Sequence, residues 1–526
     1  MKIYKPLPLI LFFVLPAIVT AQTEKIDQDI INKIRREGLQ NSKVMDIAFH
    51  LTDASGPRLT ASPGFMRAAN YARQQLSQWG LINDTLDPWG EFGKAWELQK
   101  SYVAITSPWY KTVQAYPKAW TGGTNGLRQA AVVLIAAKDP AGLDAYRGKL
   151  AGKVIMVERT DTYKQSFKPD ASRYTDEELQ SMENYKMPPP DTAAHRNEDH
   201  HPVQVNFQEN MLYALKALAS SEGAVAILSS HPRNHDGTIF VQQAVPYTYK
   251  ITDPPNLLDI AIGWEDYMMI ERLLKNNISV NMDVDVLTKF YTDDTKAYNV
   301  LAEIKGTDEN LKDELVMLGG HLDSWHSGTG ATDNAAGCAV MMEAVRILKA
   351  IGVKPRRTIR IALWSGEEQG LLGSEAYIKK TFGDPETMKL LPAHQKFSSY
   401  FNVDNGTGKI RGIYLQGNDA LRNIFSQWFA PFNDLGAKTI TLMNTDGTDH
   451  LSFDAVGLPG FQFIQDPLEY ETRTHHSNVD VYNHLIEDDL KQAATIVAAF
   501  VYNASMRDQK LPRKELPKPQ STGDKK

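Results

Sequence analysis

The sequence predicts an α/β fold: a mixed, mostly parallel sheet flanked by helices, interrupted by an inserted β-rich unit. Two observations predict the sheet. From residue 289 onward, apolar β-branched runs alternate with helical patterns. Two of those runs, 315–318 and 359–364, end in small residues and deliver ionisable ones: Gly319-Gly320-His321, and Ser365-Gly366-Glu367-Glu368. The third observation is a change of pattern over 109–288, where short β-branched runs recur between turns.

The chain reads in order as follows. Residues 1–21 carry two lysines, an apolar run over 7–19 and small residues at 19–21, the pattern of a cleavable export signal. That run is too short to span a bilayer, and no later one approaches the roughly 20 apolar residues required. Residues 22–108 form the first part of the main domain, with helical patterns over 24–42, 44–51 and from Ser62-Pro63-Gly64 to Gly80, and a strand over 97–106. Residues 109–288 form the insert. Its polar, proline-bearing stretch 161–207 is expected to be a mobile or functional loop, and His195, His200 and His201 within it are expected to be solvated.

Residues 289–506 complete the main domain. Strands are expected at 297–304, 315–318, 359–364, 400–403, 413–416 and 461–464, and helices after Asp333, over 371–382 and 420–432, and at 486–506. The tail, 507–526, is rich in Lys and Pro and is expected to be disordered.

Composition narrows the function classes. With 42% hydrophobic and 23% charged residues the chain is that of a globular protein. A net charge of −6 over 526 residues leaves no basic footprint for nucleic acid. The single cysteine, Cys338, excludes an internal disulfide and reads as a small packing residue in an apolar helix.

Five residues at run ends or in turns have side chains that bind metal: His321, Asp333, Glu368, Asp404 and His476. Taken singly, each has an ordinary structural reading: Asp333 a helix N-cap, Glu367-Glu368 two solvated acids, His475-His476 a surface pair. Together they point elsewhere, because strand ends in an open α/β sheet are where ligands bind. Imidazole and carboxylate are the donors that catalytic zinc accepts. Two histidines and three carboxylates exceed what one tetrahedral ion needs and suit two ions sharing a carboxylate.

The motifs GGHLDSW, ATDNAAG, WSGEEQGLLGS, NVDNG, TDGTDHLSF and HHSNVD occur in that order. With LTDASGPRL at 51–59, they make residues 42–505 resemble the zinc-dependent peptidases of clan MH, metallopeptidase family twenty-eight, which includes bacterial aminopeptidases and a plasma glutamate carboxypeptidase. The insert resembles the protease-associated domain that many members carry. The resemblance implies a phosphorylase/hydrolase-like exopeptidase fold and two Zn2+ per chain. His321 and Asp404 would hold one ion, Glu368 and His476 the other, and Asp333 would bridge them. Glu367 would be the general base, and Asp323 would hydrogen-bond His321. Thr448, Asp449 and His450 would line the substrate pocket.

The expected function is a secreted or periplasmic exopeptidase acting on peptides, with aminopeptidase preferred over glutamate carboxypeptidase-like or dipeptidase activity. A one-zinc glutaminyl cyclase-type transferase is disfavoured by the second ligand pair. A receptor-like inactive scaffold is disfavoured because every ligand position is filled. The insert could shape access, shield the site or support a homodimer.

Overall fold

The computed structural model describes residues 24–162, 164–187 and 207–519. The export signal at 1–21, the three loop histidines and the last seven residues lie outside them. Among the described residues no helix is long and apolar enough to cross a membrane.

The main domain is built on an eight-stranded mixed sheet. Its order is Ile82–Glu91, Lys296–Ile304, Thr358–Trp364, Leu315–His321, Phe397–Asn402, Gly460–Gln465, Ile410–Tyr414, Thr439–Thr441. The four central strands, from Thr358–Trp364 to Gly460–Gln465, are mutually parallel, and antiparallel partners flank them. All four are buried almost throughout, which is why they read as continuous apolar runs rather than alternating ones.

Helices cover both faces. On one, Ala336–Ala350 and Glu487–Met506 are buried nearly all round, and Gln28–Gln40, Val44–Leu51 and Pro63–Gln78 close over them. The last of these starts where the sequence places it: the Ser62 hydroxyl accepts the Phe65 N–H, and Pro63 occupies the first turn. On the other face Leu372–Thr381 and His450–Asp454 pack over an aromatic cluster, in which Tyr400 and Phe453 stack at 4.2 Å. Gly319 is required where neighbouring strands meet. A Cβ there would lie 2.1 Å from the Ala362 carbonyl oxygen.

The insert forms a second eight-stranded mixed sheet: Lys111–Thr112, Ala95–Ser107, Asn281–Tyr291, Arg128–Ile135, Val154–Val157, Ala226–Ser229, Asp259–Ile262, Ala115–Pro117. Its inner strands are parallel and carry the helices Phe207–Glu222 and Trp264–Lys275, so the unit is α/β rather than simply β-rich. Its limits are also wider than 109–288. Ala95–Ser107, assigned from sequence to the main domain, pairs along its length with Asn281–Tyr291, and both belong to the inserted sheet.

Two further expectations are corrected. The described part of the 161–207 stretch is seated on the main domain. A capped helix, Asp176–Glu183, forms there, Ser172 bridges to Leu468, and Arg173 pairs with Asp466 and Asp489. The tail as far as residue 519 is anchored too. Leu511 is buried, and Arg513 donates to the carbonyls of His394 and Phe397. Both segments lack apolar periodicity because they are held by scattered polar contacts to distant residues.

Candidate metal centre

Parallel pairing brings the ligands to one edge. Leu315–His321 pairs with Thr358–Trp364 so that His321 stands opposite Trp364, and with Phe397–Asn402 so that Gly319 stands opposite Asn402. The carboxyl ends of three neighbouring strands therefore deliver His321, Glu367-Glu368 and Asp404 to the same place. Two loops from the helical face complete the set. Asp333 lies in the π-type turn Ala331–Ala335 that leads into the buried helix Ala336–Ala350. It is not the N-cap: Ala335 holds that position, and it is the Asn334 amide oxygen that accepts the Gly337 N–H of the first turn, at 2.9 Å. His476 follows the turn Tyr470–Thr474 in a left-handed conformation (φ 59°).

The side chains converge. His321 Nε2 lies 3.0 Å from Asp404 Oδ1 and 3.2 Å from Asp333 Oδ1. His476 Nε2 lies 3.2 Å from Asp333 Oδ2 and 3.1 Å from Glu368 Oε2. Asp333 thus faces one histidine with each of its two oxygens. Glu367 Oε2 stands 3.9 Å from His321 Nε2. All are buried or nearly so.

Both imidazoles are drawn toward the charged form. Burial alone would push His321 down, but Asp404 and Glu367 outweigh it and raise it well above its usual range. Burial opposes His476 also, yet Glu368 and Asp333 lift it to about 10. Burial raises Glu368 to about 7 and raises Glu367 well above the normal carboxylate range. A buried pocket whose carboxylates draw both imidazoles toward the charged form favours cations. Glu368 Oε1 is buried without a hydrogen-bond partner, an acceptor left free for an ion. Ligand atoms of His321, Asp333 and Glu368 lie within 4.8 Å of one another, as do those of Asp333, His475 and His476. The donor set and its spacing fit divalent metal.

The supporting contacts differ from expectation in one respect. The main-chain carbonyl of Asp323, not its carboxylate, sits 3.0 Å from His321 Nδ1; the carboxylate oxygen is 3.7 Å away. That carboxylate instead accepts the main-chain N–H groups of Glu367 and Glu368 at 3.3 Å each, and the Thr60 hydroxyl at 2.9 Å. Asp323 therefore orients the glutamate pair as well as the histidine. Thr60, the residue after the N-terminal signature stretch, was not singled out by its sequence.

Of the three residues expected in the substrate pocket, Thr448 accepts a hydrogen bond from Asn402 next to the Asp404 loop. Asp449 is fully buried with neither carboxylate oxygen hydrogen-bonded, and burial raises it to about 8. His450 turns away: its Nε2 meets Thr445 O at 3.0 Å and the Gln416 amide at 2.9 Å.

Residues that the sequence did not mark as ligands also shape the centre. Asp480 accepts the Thr332 and Asp333 N–H groups. The His475 ring lies tilted against that of His476, with its Nε2 3.9 Å from Asp333. Gln242, from the insert, lies 3.0 Å from His476 Nδ1. Asp480 stands in the same HHSNVD motif as His476 and was legible there. Gln242 carried no local signal. Cys338 is the packing residue expected, fully buried, its thiol pushed up to about 12 by burial and donating to the His321 carbonyl.

Residues 299–501 match the model of peptidase family M28. Carboxypeptidase Q of Mus musculus is 27% identical over 498 residues, which cover 94% of this chain and 92% of that protein. Among solved structures, a peptidase M28 precursor from Shewanella amazonensis superposes with a TM-score of 0.65 at 23% identity, covering 93% of this chain and 99% of that one. BSAP, a zinc aminopeptidase from Bacillus subtilis, superposes with a TM-score of 0.55 at 18% identity, covering 89% and 96%. Matched over residues 299–501 by that family model and along nearly its whole length by carboxypeptidase Q, the chain is similar to the metallopeptidases of family M28.

Proposed function

We propose that the chain is an exported exopeptidase that uses two zinc ions to hydrolyse a peptide bond near a free terminus. The observation that carries this reading is the placement of Asp333, with Oδ1 toward His321 and Oδ2 toward His476. His321 and Asp404 would hold one ion, Glu368 and His476 the other, and Asp333 would be shared. Zinc bound there supplies a Lewis acid for the scissile carbonyl and acidifies water at neutral pH.

The remaining work falls to protein groups. Glu367 is almost buried, is held well above the ordinary carboxylate range by that burial, and is fixed through its main chain by Asp323. Its carboxylate takes the proton of the attacking water, holds it, and returns it to the leaving amine nitrogen. Burial of the surrounding carboxylates keeps bulk water from competing for that proton.

Aminopeptidase action is the preferred specificity. Carboxypeptidase or dipeptidase action is the second reading, favoured by the long match to carboxypeptidase Q. The test uses zinc-loaded protein and one short peptide in three forms: both ends free, N-acetylated, and C-amidated. Release of the first residue from the amidated but not the acetylated form establishes an aminopeptidase. Cleavage of the acetylated form alone among the two blocked peptides establishes a carboxypeptidase, and cleavage only with both ends free a dipeptidase. No cleavage with two zincs bound rules out the peptidase reading.

A further inference from the structure

The two histidines of the centre are oriented by different parts of the chain. His321 Nδ1 meets the carbonyl of Asp323, two residues along on the same loop. His476 Nδ1 meets the side-chain amide of Gln242, which belongs to the insert. We propose that Gln242 is the positioning residue for His476, so that the insert completes one of the two metal sites rather than merely lying over them. The proposal rests on the zinc reading above.

The chemistry assigns the proton. His476 turns Nε2 to Asp333 and Glu368, so that nitrogen is the ligand atom and must be unprotonated when metal binds. Nδ1 then carries the hydrogen and needs an acceptor; the Gln242 amide nitrogen lies 3.0 Å from it, and a half-turn of the amide, which exchanges N and O, brings the oxygen to that place as acceptor. A carbonyl acceptor on the remote nitrogen fixes both ring orientation and tautomer.

Gln242 is itself held firmly. Its main-chain carbonyl accepts from Ala119 N, and Ala244 N donates back to the Ala119 carbonyl. On either side of it the insert runs against the histidine loop. Val241 N donates to the His476 carbonyl at 2.9 Å, Ile239 N to Asn478 Oδ1 at 2.5 Å, and Asn478 N back to the Ile239 carbonyl at 3.1 Å. The Phe240 ring lies 5.7 Å from the His476 ring. Asn234 carries the segment to the inserted sheet: its amide oxygen accepts from Phe240 N, and its amide nitrogen donates to the carbonyl of Ile262, at the end of strand Asp259–Ile262. The path from the core of the insert to a metal-binding histidine is thus short and hydrogen-bonded throughout. Among the described residues nothing comparable runs from the insert to His321 or Asp404.

The prediction is therefore selective. Gln242→Met keeps the length of the side chain and removes the acceptor. It should weaken one of the two bound zincs by roughly 10–100-fold, the range for loss of such a partner, and leave the other unchanged. Gln242→Glu keeps an oxygen acceptor and should hold both zincs within a few-fold of the parent.

The experiment is a titration of each full-length protein with a competing zinc chelator, read as zinc released per chain, with circular dichroism to verify folding. Selective weakening of one zinc in Gln242→Met, restored in Gln242→Glu, supports the proposal. Equal retention of both zincs in Gln242→Met overturns it, and so does equal weakening of both. If Gln242→Met does not fold, Gln242→Ser is read in the same way. A parent protein that binds no zinc would instead overturn the zinc reading, so the two failures are distinguishable.

Discussion

Asp480 holds Asp333 by its main chain: Oδ2 accepts the Asp333 N–H at 3.1 Å, while Oδ1 accepts that of Thr332 at 2.6 Å. The loop that offers the shared carboxylate is thereby clamped to the loop that offers His476. Asp480→Asn would turn an N–H donor against one of those N–H groups. Zinc affinity should fall by roughly 10–100-fold with the fold retained, measured as zinc content against a chelator series.

In the proposed mechanism Glu367 acts on the attacking water and holds neither ion. Glu367→Gln should keep both zincs and lose on the order of 10²–10⁴ in kcat, the usual worth of a positioned general base. Asp333→Ala should lose metal outright, because both histidines face it. Metal analysis beside steady-state rates separates the two. Loss of zinc from Glu367→Gln would exchange the roles assigned to the glutamate pair.

Acid should loosen the insert through Asp259. Burial pushes this carboxyl up, but Lys118 and Lys216 outweigh it and hold it at about 2, against an ordinary value near 3.8. A depressed carboxyl stabilises the fold above its unfolded value and loses that contribution as pH falls through its folded one. The window therefore runs from about pH 4 down to about pH 2, and the contribution is roughly 2 kcal/mol. In Asp259→Asn that pH dependence should vanish. Acid-unfolding curves of the two proteins, followed by tryptophan fluorescence, make the comparison.

Gly319→Ala should prevent correct closure of the central strands. The added carbon would sit 2.1 Å from a strand carbonyl that cannot retreat without breaking its own ladder. Soluble yield and melting temperature should both fall sharply, and zinc uptake with them, because His321 stands only two residues further on.

Removing residues 507–526 should also lower the melting temperature, by several degrees. The truncation exposes the site that Leu511 fills and strips the Arg507–Glu24 and Arg513–His394 contacts. Unchanged melting would mean that these contacts contribute nothing net.

What could be read from the sequence was what is local. Buried parallel strands appear as apolar runs, and ionisable residues gathered at their carboxyl ends stand right after those runs, so the convergence of His321, Glu367, Glu368 and Asp404 was legible. Contacts made across long separations did not. Ala95–Ser107 reads as a strand in either sheet, and only its pairing with Asn281–Tyr291 decides which. Leu511 is a single apolar residue among lysines and prolines, with no period to mark it. Gln242 lies 234 residues from His476, and no spacing rule links a glutamine to a histidine at that distance. His450 misled because its motif neighbours do approach the site while its own ring turns to Gln416.

The edge strand Ile82–Glu91 and its neighbour Lys296–Ile304 are antiparallel, with Glu91 opposite Lys296, so the whole insert stands where a hairpin turn would. Synthesis then has an enforced timetable. The first edge strand leaves the ribosome long before its partner exists, on the order of ten to forty seconds at ordinary elongation rates. The insert, whose own sheet closes with Asn281–Tyr291, can be finished in that interval. The half-made hairpin can then be drawn shut by a domain that is already folded when the catalytic strands begin to appear.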